Sequence, residues 1–122
     1  MMLRSLVLAC ATAFAGFASA PVAAHAFLDH AVPAVGSTVH AAPASVRLWF
    51  TEQLEPAFSR VKVLDATGKE IDKSDSHVDA SDASVLAVSV PALAPGTYRV
   101  QWRVVSVDTH VTEGDFTFEI KQ

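Results

Sequence analysis

The sequence predicts an all-β domain, a two-sheet antiparallel sandwich of about seven short strands with Greek-key connections. Three observations predict it. Apolar and polar residues alternate with period two in several short runs. Turn-forming residues separate the runs. No long run carries a helical period.

The chain opens with a segment that belongs to export rather than to the fold. Residues 1–24 are expected to be a secretory signal peptide, with Arg4 as its single positive charge and residues 5–18 almost entirely apolar or small. Val22 and Ala24 suit a cut after Ala24, which would leave residues 25–122 as one domain beginning at His25. Two rival cuts stand beside it: before Pro21, where proline is unfavourable after the scissile bond, and after Ala26, which would discard His25. A lipoprotein reading at Cys10 is weak, because Arg4 and Cys10 are so close. The apolar run falls short of the roughly 20 residues needed to cross a membrane, so the exported chain is expected not to be membrane-embedded.

The strands follow in order. Pro33 and Gly36 break the N-terminal segment. In the run from Val46 to Phe50, Val46, Leu48 and Phe50 share one face. A second strand is expected over residues 58–63, with Val61 and Val63 inward and Arg60 and Lys62 outward. Asp65, Ala66, Thr67 and Gly68 suit a hairpin turn, and residues 72–84, polar and acidic, are expected to be a loop. Leu86, Val88 and Val90 share one side of a third strand. Pro95 and Gly96 make a tight turn before a long stripe of Tyr98, Val100, Trp102 and Val104. Phe116, Phe118 and Ile120 alternate with polar residues in the last strand.

Composition narrows the partners. The formal net charge is −4, and losing Arg4 makes the remainder more negative. An acidic surface argues against nucleic acid or an anionic membrane. The single cysteine, Cys10, and both methionines, Met1 and Met2, fall in the leader, so residues 25–122 contain no sulfur. Disulfides and soft sulfur ligands are excluded there.

What remains for chemistry is nitrogen and oxygen. A His25 at the start of the chain would offer its α-amine and its imidazole to one metal ion. These groups have unperturbed pKa values of about 7.7–8.0 and about 6.5, so both can release a proton to a metal near neutrality. Asp108 and His110 are two residues apart and would project together if the strand stays extended there. Two imidazoles, one amine and one carboxylate match the tetragonal preference of Cu(II), and copper stands highest in the divalent series. Each element also has a plain reading: Asp108 and His110 as a surface hydrogen-bonded pair, His30, His40 and His77 as solvated side chains, Trp49 and Trp102 as core or near-core packing, and Glu52 and Glu55 as loop carboxylates.

Several segments in order, His25-Ala26, Pro33 to Ser37, Ala42-Pro43, Leu48 to Glu52, Pro95 to His110 and Gly114 to Phe118, resemble the CopC family of periplasmic copper-binding proteins. The stretch with Gly96-Thr97-Tyr98, Trp102-Arg103, Ser106, Asp108 and His110 is the most specific part of the likeness. The resemblance implies an immunoglobulin-like, cupredoxin-like sandwich. It implies a Cu(II) site made from the amine and imidazole of His25 with Asp108 and His110, and Glu52 beside it as a weak ligand or a neighbour of one. It also implies a periplasmic, monomeric copper carrier for copper resistance or homeostasis, not an enzyme, with a CopD-like inner-membrane importer as the partner. Some members carry a second, Cu(I) site on a Met-rich loop, but residues 65–80 hold no Met, so a single Cu(II) site is expected.

One enzyme class uses similar ligands. Lytic polysaccharide monooxygenases bind copper through an N-terminal His and a second His, the histidine brace. Against that reading, Asp108 would fill a position that dioxygen chemistry needs open, and residues 25–122 leave little surface for a polysaccharide. A third reading is a sandwich that binds no metal at all.

Overall fold

The computed structural model describes Gly16 and residues 25–122, so the signal peptide expected over residues 1–24 lies, but for Gly16, outside the described residues. The described residues fold into two facing four-stranded sheets. The strands are β1 (Leu28–Val32), β2 (Thr38–Val39), β3 (Ser45–Phe50), β4 (Arg60–Leu64), β5 (His77–Val78), β6 (Val85–Ser89), β7 (Gly96–Val105) and β8 (Val111–Ile120). One sheet has the order β1-β3-β6-β5 and the other β2-β8-β7-β4. Leaving aside the tiny β2, this is the ABED and GFC arrangement of a constant-type immunoglobulin sandwich. Tyr98, near the start of β7, donates its hydroxyl to the Ala94 carbonyl at 2.6 Å. That bond is the tyrosine corner typical of this fold.

The alternating runs become the two inner faces. Val46, Leu48, Leu86 and Val88 from one sheet meet Val61, Val63, Val100, Val104, Phe116 and Phe118 from the other, all buried. Phe50 and Trp102 join the sheets edge to face at 5.1 Å, and Tyr98 stacks on Phe118 at 5.6 Å. Gly114, inside β8, makes room for this packing: a Cβ there would lie 2.4 Å from the Trp102 ring.

The structure corrects the sequence reading in four places. To the expected seven or so strands the described residues add the two-residue β2, which pairs with β8 in parallel, through Thr38 with Glu119 and Val39 with Ile120. The second predicted strand starts later, at Arg60, because Pro56–Phe58 forms a single 3-10 turn with a proline at its start. The N-terminal segment contains a full edge strand, β1, before the cis Val32–Pro33 bond. The acidic segment 72–84 is not all loop, since His77 and Val78 pair with Ala87 and Leu86.

That segment is ordered by its own carboxylates. Asp72, Asp79 and Asp82 accept backbone N–H bonds from Ser74, Ser81 and Ser84, two residues on, at 2.8–3.0 Å. Such Asx turns replace backbone pairing with side-chain pairing. The same segment seals the free edge of β4: Val61 donates to Ser76 Oγ and Val63 to Asp72 Oδ2, both at 2.9 Å. An edge strand whose N–H groups are spoken for cannot recruit another chain.

Candidate metal centre

The connection between β7 and β8 carries two of the predicted residues. It is a tight turn: Thr109 N–H donates to the Ser106 carbonyl at 2.8 Å, and Ser106 N–H to the His110 carbonyl at 3.0 Å. Thr109 has a φ of 72°, a left-handed conformation that is rare for a β-branched residue. The expectation of an extended backbone from Asp108 to His110 is therefore overturned. The two side chains meet because the chain reverses between them, and His110 Nδ1 lies 3.3 Å from Asp108 Oδ2.

Ser106 holds the turn from inside. It is only 1% exposed. Its hydroxyl donates to Asp108 Oδ1 and accepts the His110 N–H at 3.3 Å. The Ser106 hydroxyl, with the His110 imidazole adding to it, holds the Asp108 carboxyl below its ordinary value against the opposing pull of desolvation. Asp108 is thus kept as a carboxylate. His110 Nδ1 is buried, and its 3.3 Å approach to Asp108 Oδ2 does not reach good hydrogen-bond geometry. A buried imidazole nitrogen left unpaired is costly unless something else takes its lone pair.

The third predicted residue arrives from the other end of the domain. The His25 ring stands 4.7 Å from the His110 ring, edge to face at 69°. Two nitrogens on one ion, each about 2 Å from it, lie within about 4 Å of each other, so these rings are within reach of a shared metal. His25 is held there by its neighbours. Ala26 is fully buried, and its carbonyl accepts the Thr112 hydroxyl at 2.7 Å. Thr51 clamps either side: its Oγ1 accepts Phe27 N–H at 3.0 Å and donates to the His25 carbonyl at 3.3 Å.

Glu52 follows Thr51 and is half-buried. The next residue, Gln53, accepts Val107 N–H at 3.0 Å, and Glu55 N–H donates to the Val105 carbonyl at 2.8 Å. The backbone at Glu52 is thereby strung between the segment bearing His25 and the turn bearing Asp108. Among the described residues, no three His, Cys, Asp or Glu side chains already converge into a metal-holding cluster. The side-chain donors stand as close pairs sharing His110. In the chain of residues 1–122 the His25 nitrogen is an amide, so one donor of the expected set is missing. The donor chemistry still fits a divalent ion: two neighbouring imidazoles, one with an unsatisfied nitrogen, and an adjacent ionised carboxylate.

The other histidines lie elsewhere. His30, His40 and His77 are exposed. His30 stacks on Trp49 at 4.4 Å, and Arg47 lies 5.7 Å over the same indole. Trp49 is therefore half-buried on the outer face of its sheet, whereas Trp102 packs against the core. Sequence reasoning did not single out Thr51, Ser106 and Thr112 as supports. Their only sequence signal is position, each being a hydroxyl residue within four places of a predicted ligand or of Glu52.

Fold and site together define a small immunoglobulin-like sandwich that gathers imidazole and carboxylate groups at one end. The CopC domain family matches residues 28–121, and the chain belongs to that family. It is 39% identical over 119 residues to Protein YobA of Escherichia coli K12, covering 97% of this chain and 96% of that one. It is 34% identical to copper resistance protein C of Xanthomonas campestris pv. juglandis, covering 97% of each. The copper transport protein CutJ of Bacillus subtilis is 30% identical over 98 residues, which span 80% of this chain but 18% of that one. Among solved structures, CopC from Methylosinus trichosporium OB3b superposes with a TM-score of 0.71 at 37% identity, over 80% of this chain and 94% of that one. PcoC, a methionine-rich copper resistance protein from Escherichia coli, superposes at 0.69 with 33% identity, over 80% of this chain and 100% of that one. Among the described residues no helix is long and apolar enough to cross a membrane.

Proposed function

We propose that this protein is exported to the periplasm, loses residues 1–24, and there carries a single Cu(II) ion for copper resistance or homeostasis. The carrying observation is the 4.7 Å contact of His25 with His110, beside a carboxylate that stays ionised. Cleavage after Ala24 turns the His25 amide into an amine. The amine and its own imidazole then close a six-membered chelate ring, and His110 and Asp108 supply the other two donors. Glu52 sits beside the ion and adds a second negative charge to balance it. Copper is favoured over other divalent metals by the nitrogen-rich set and by the names of the relatives.

The ion is cargo. With all four donors on the protein, no open position is reserved for dioxygen, which speaks for a carrier and against an oxidative enzyme. The absence of Met and Cys from residues 25–122 speaks against a second, Cu(I) site. The carrier works as a monomer and hands copper to a membrane importer of the CopD type. The match to a short part of a copper transport protein in Bacillus subtilis supports that partnership. Intact mass of the exported protein, with and without Cu(II), tests the proposal. A mass beginning at His25 that rises by one copper supports it. A chain beginning at Phe27, or no copper adduct, rejects it.

A further inference from the structure

The outer face of the sheet that carries β4, β7 and β8 departs from the charge of the rest of the molecule. In register, Arg60 on β4 lies directly opposite Arg103 on β7, and Lys62 lies opposite Gln101. Partners in register point to the same side of the sheet, so these four side chains share one face. Arg103 is in turn opposite Glu113, and Gln101 opposite Asp115, on β8. Arg103 pairs with Glu113 at 3.0 Å, and Arg99 pairs with Asp115. Among the described residues, Arg60 and Lys62 make no ion pair.

Like charges directly opposite on neighbouring strands repel and destabilise a sheet. Here that repulsion sits in a chain whose formal net charge is −4, so a general excess of cations does not explain it. The face is also concave. A cavity of about 440 Å³ is lined by Arg60, Lys62, Gln101, Trp102, Arg103 and the β8 residues from Glu113 to Asp115. Its volume is within the usual size of small-molecule sites, about 300–1,000 Å³. Two unpaired cations, a third held by one carboxylate, and an amide therefore line the hollow, with Glu113 and Asp115 already engaged by Arg103 and Arg99.

We propose that this cleft binds a small anion carrying two or more carboxylates. One carboxylate bridges Arg60 and Arg103 and relieves their repulsion, and another reaches Lys62 and the Gln101 amide. Guanidinium groups suit such an anion because they present paired N–H donors to a carboxylate. Glu113 and Asp115 bound the cleft on the β8 side, so the anion lies toward β4. The site is separate from His25, Asp108 and His110, and binding there does not depend on copper.

Citrate titrated into the copper-free protein, followed by backbone and side-chain N–H resonances of the cleft residues, tests the proposal. Saturable shifts centred on Arg60, Lys62 and Gln101 are expected. Arg60→Gln with Lys62→Gln should weaken the apparent Kd by about tenfold or more, while thermal unfolding stays cooperative. Lys62→Gln alone, which leaves the Arg103–Glu113 pair intact, should weaken it in the same direction. Shifts that do not saturate, that acetate at equal ionic strength reproduces, or that survive the double substitution would overturn it.

Discussion

The imidazoles of His25 and His110 lie edge to face at 4.7 Å, although they come from opposite ends of the domain. Two sets of hydrogen bonds bring them together. Thr51 and Thr112 fix the backbone at residues 25–27, and Ser106 fixes the turn that carries His110. The contact therefore depends on hydroxyl groups that never need to touch a metal.

Ser106→Ala tests that dependence. It removes the donor to Asp108 and leaves the His110 N–H without its partner. Loss of a buried partner should cost about 1–3 kcal/mol in urea unfolding. Weakening the support of ligands should lower Cu(II) affinity by about 10- to 100-fold in a competition titration. Unchanged affinity would show that the turn holds without this hydroxyl.

Gly114→Ala probes the packing of Trp102. The new methyl would meet the indole at 2.4 Å, so the ring must leave its present position against Phe50. Overpacking of this kind should destabilise the fold by about 1–3 kcal/mol and shift tryptophan emission. Thermal unfolding and fluorescence of the variant check both.

Acid should destabilise the fold through the carboxylates that order its loops. Hydrogen bonds from Thr67 to Asp65, Ser89 to Asp75, Ser81 to Asp79 and Ser84 to Asp82 hold all four carboxyls below their ordinary values. The folded chain then binds fewer protons than the unfolded one as pH falls. Their contribution is fully present above the unfolded carboxylate pKa of about 3.9 and is lost as pH drops through the lower folded values. Urea midpoints measured downward from about pH 6 should hold steady and then fall below about pH 4. A midpoint rising with acid would contradict the assignment.

Much of this fold was legible because period-two alternation reports burial directly. Val46, Leu48 and Phe50, and likewise Phe116, Phe118 and Ile120, are inward as their spacing predicts. Strands β2 and β5 were hidden, since two residues cannot alternate, and β5 is framed by Asx turns rather than by apolar neighbours. The identity of the site residues was legible, but the means of bringing them together was not. Asp108 and His110 meet through Thr109 in a left-handed conformation, which no residue type there announces. The clamp made by Thr51 depends on a long-range contact, and spacing carries no trace of it.

Copper should stabilise the folded chain. A specific ligand present at 100 times its Kd adds about 2.7 kcal/mol to unfolding. The protein beginning at His25 should therefore melt at a higher temperature with Cu(II), and His110→Ala should remove most of that rise. A melting temperature indifferent to copper would favour a sandwich with no metal function.

The most direct test is one added residue. The protein beginning at His25 and a version carrying a single alanine before it should be compared by electron paramagnetic resonance with one equivalent of Cu(II). The account predicts nitrogen couplings from the amine and both imidazoles in the first, and a changed spectrum with weaker binding in the second. Identical spectra and affinities in the two proteins would contradict a copper site built on a free histidine amine.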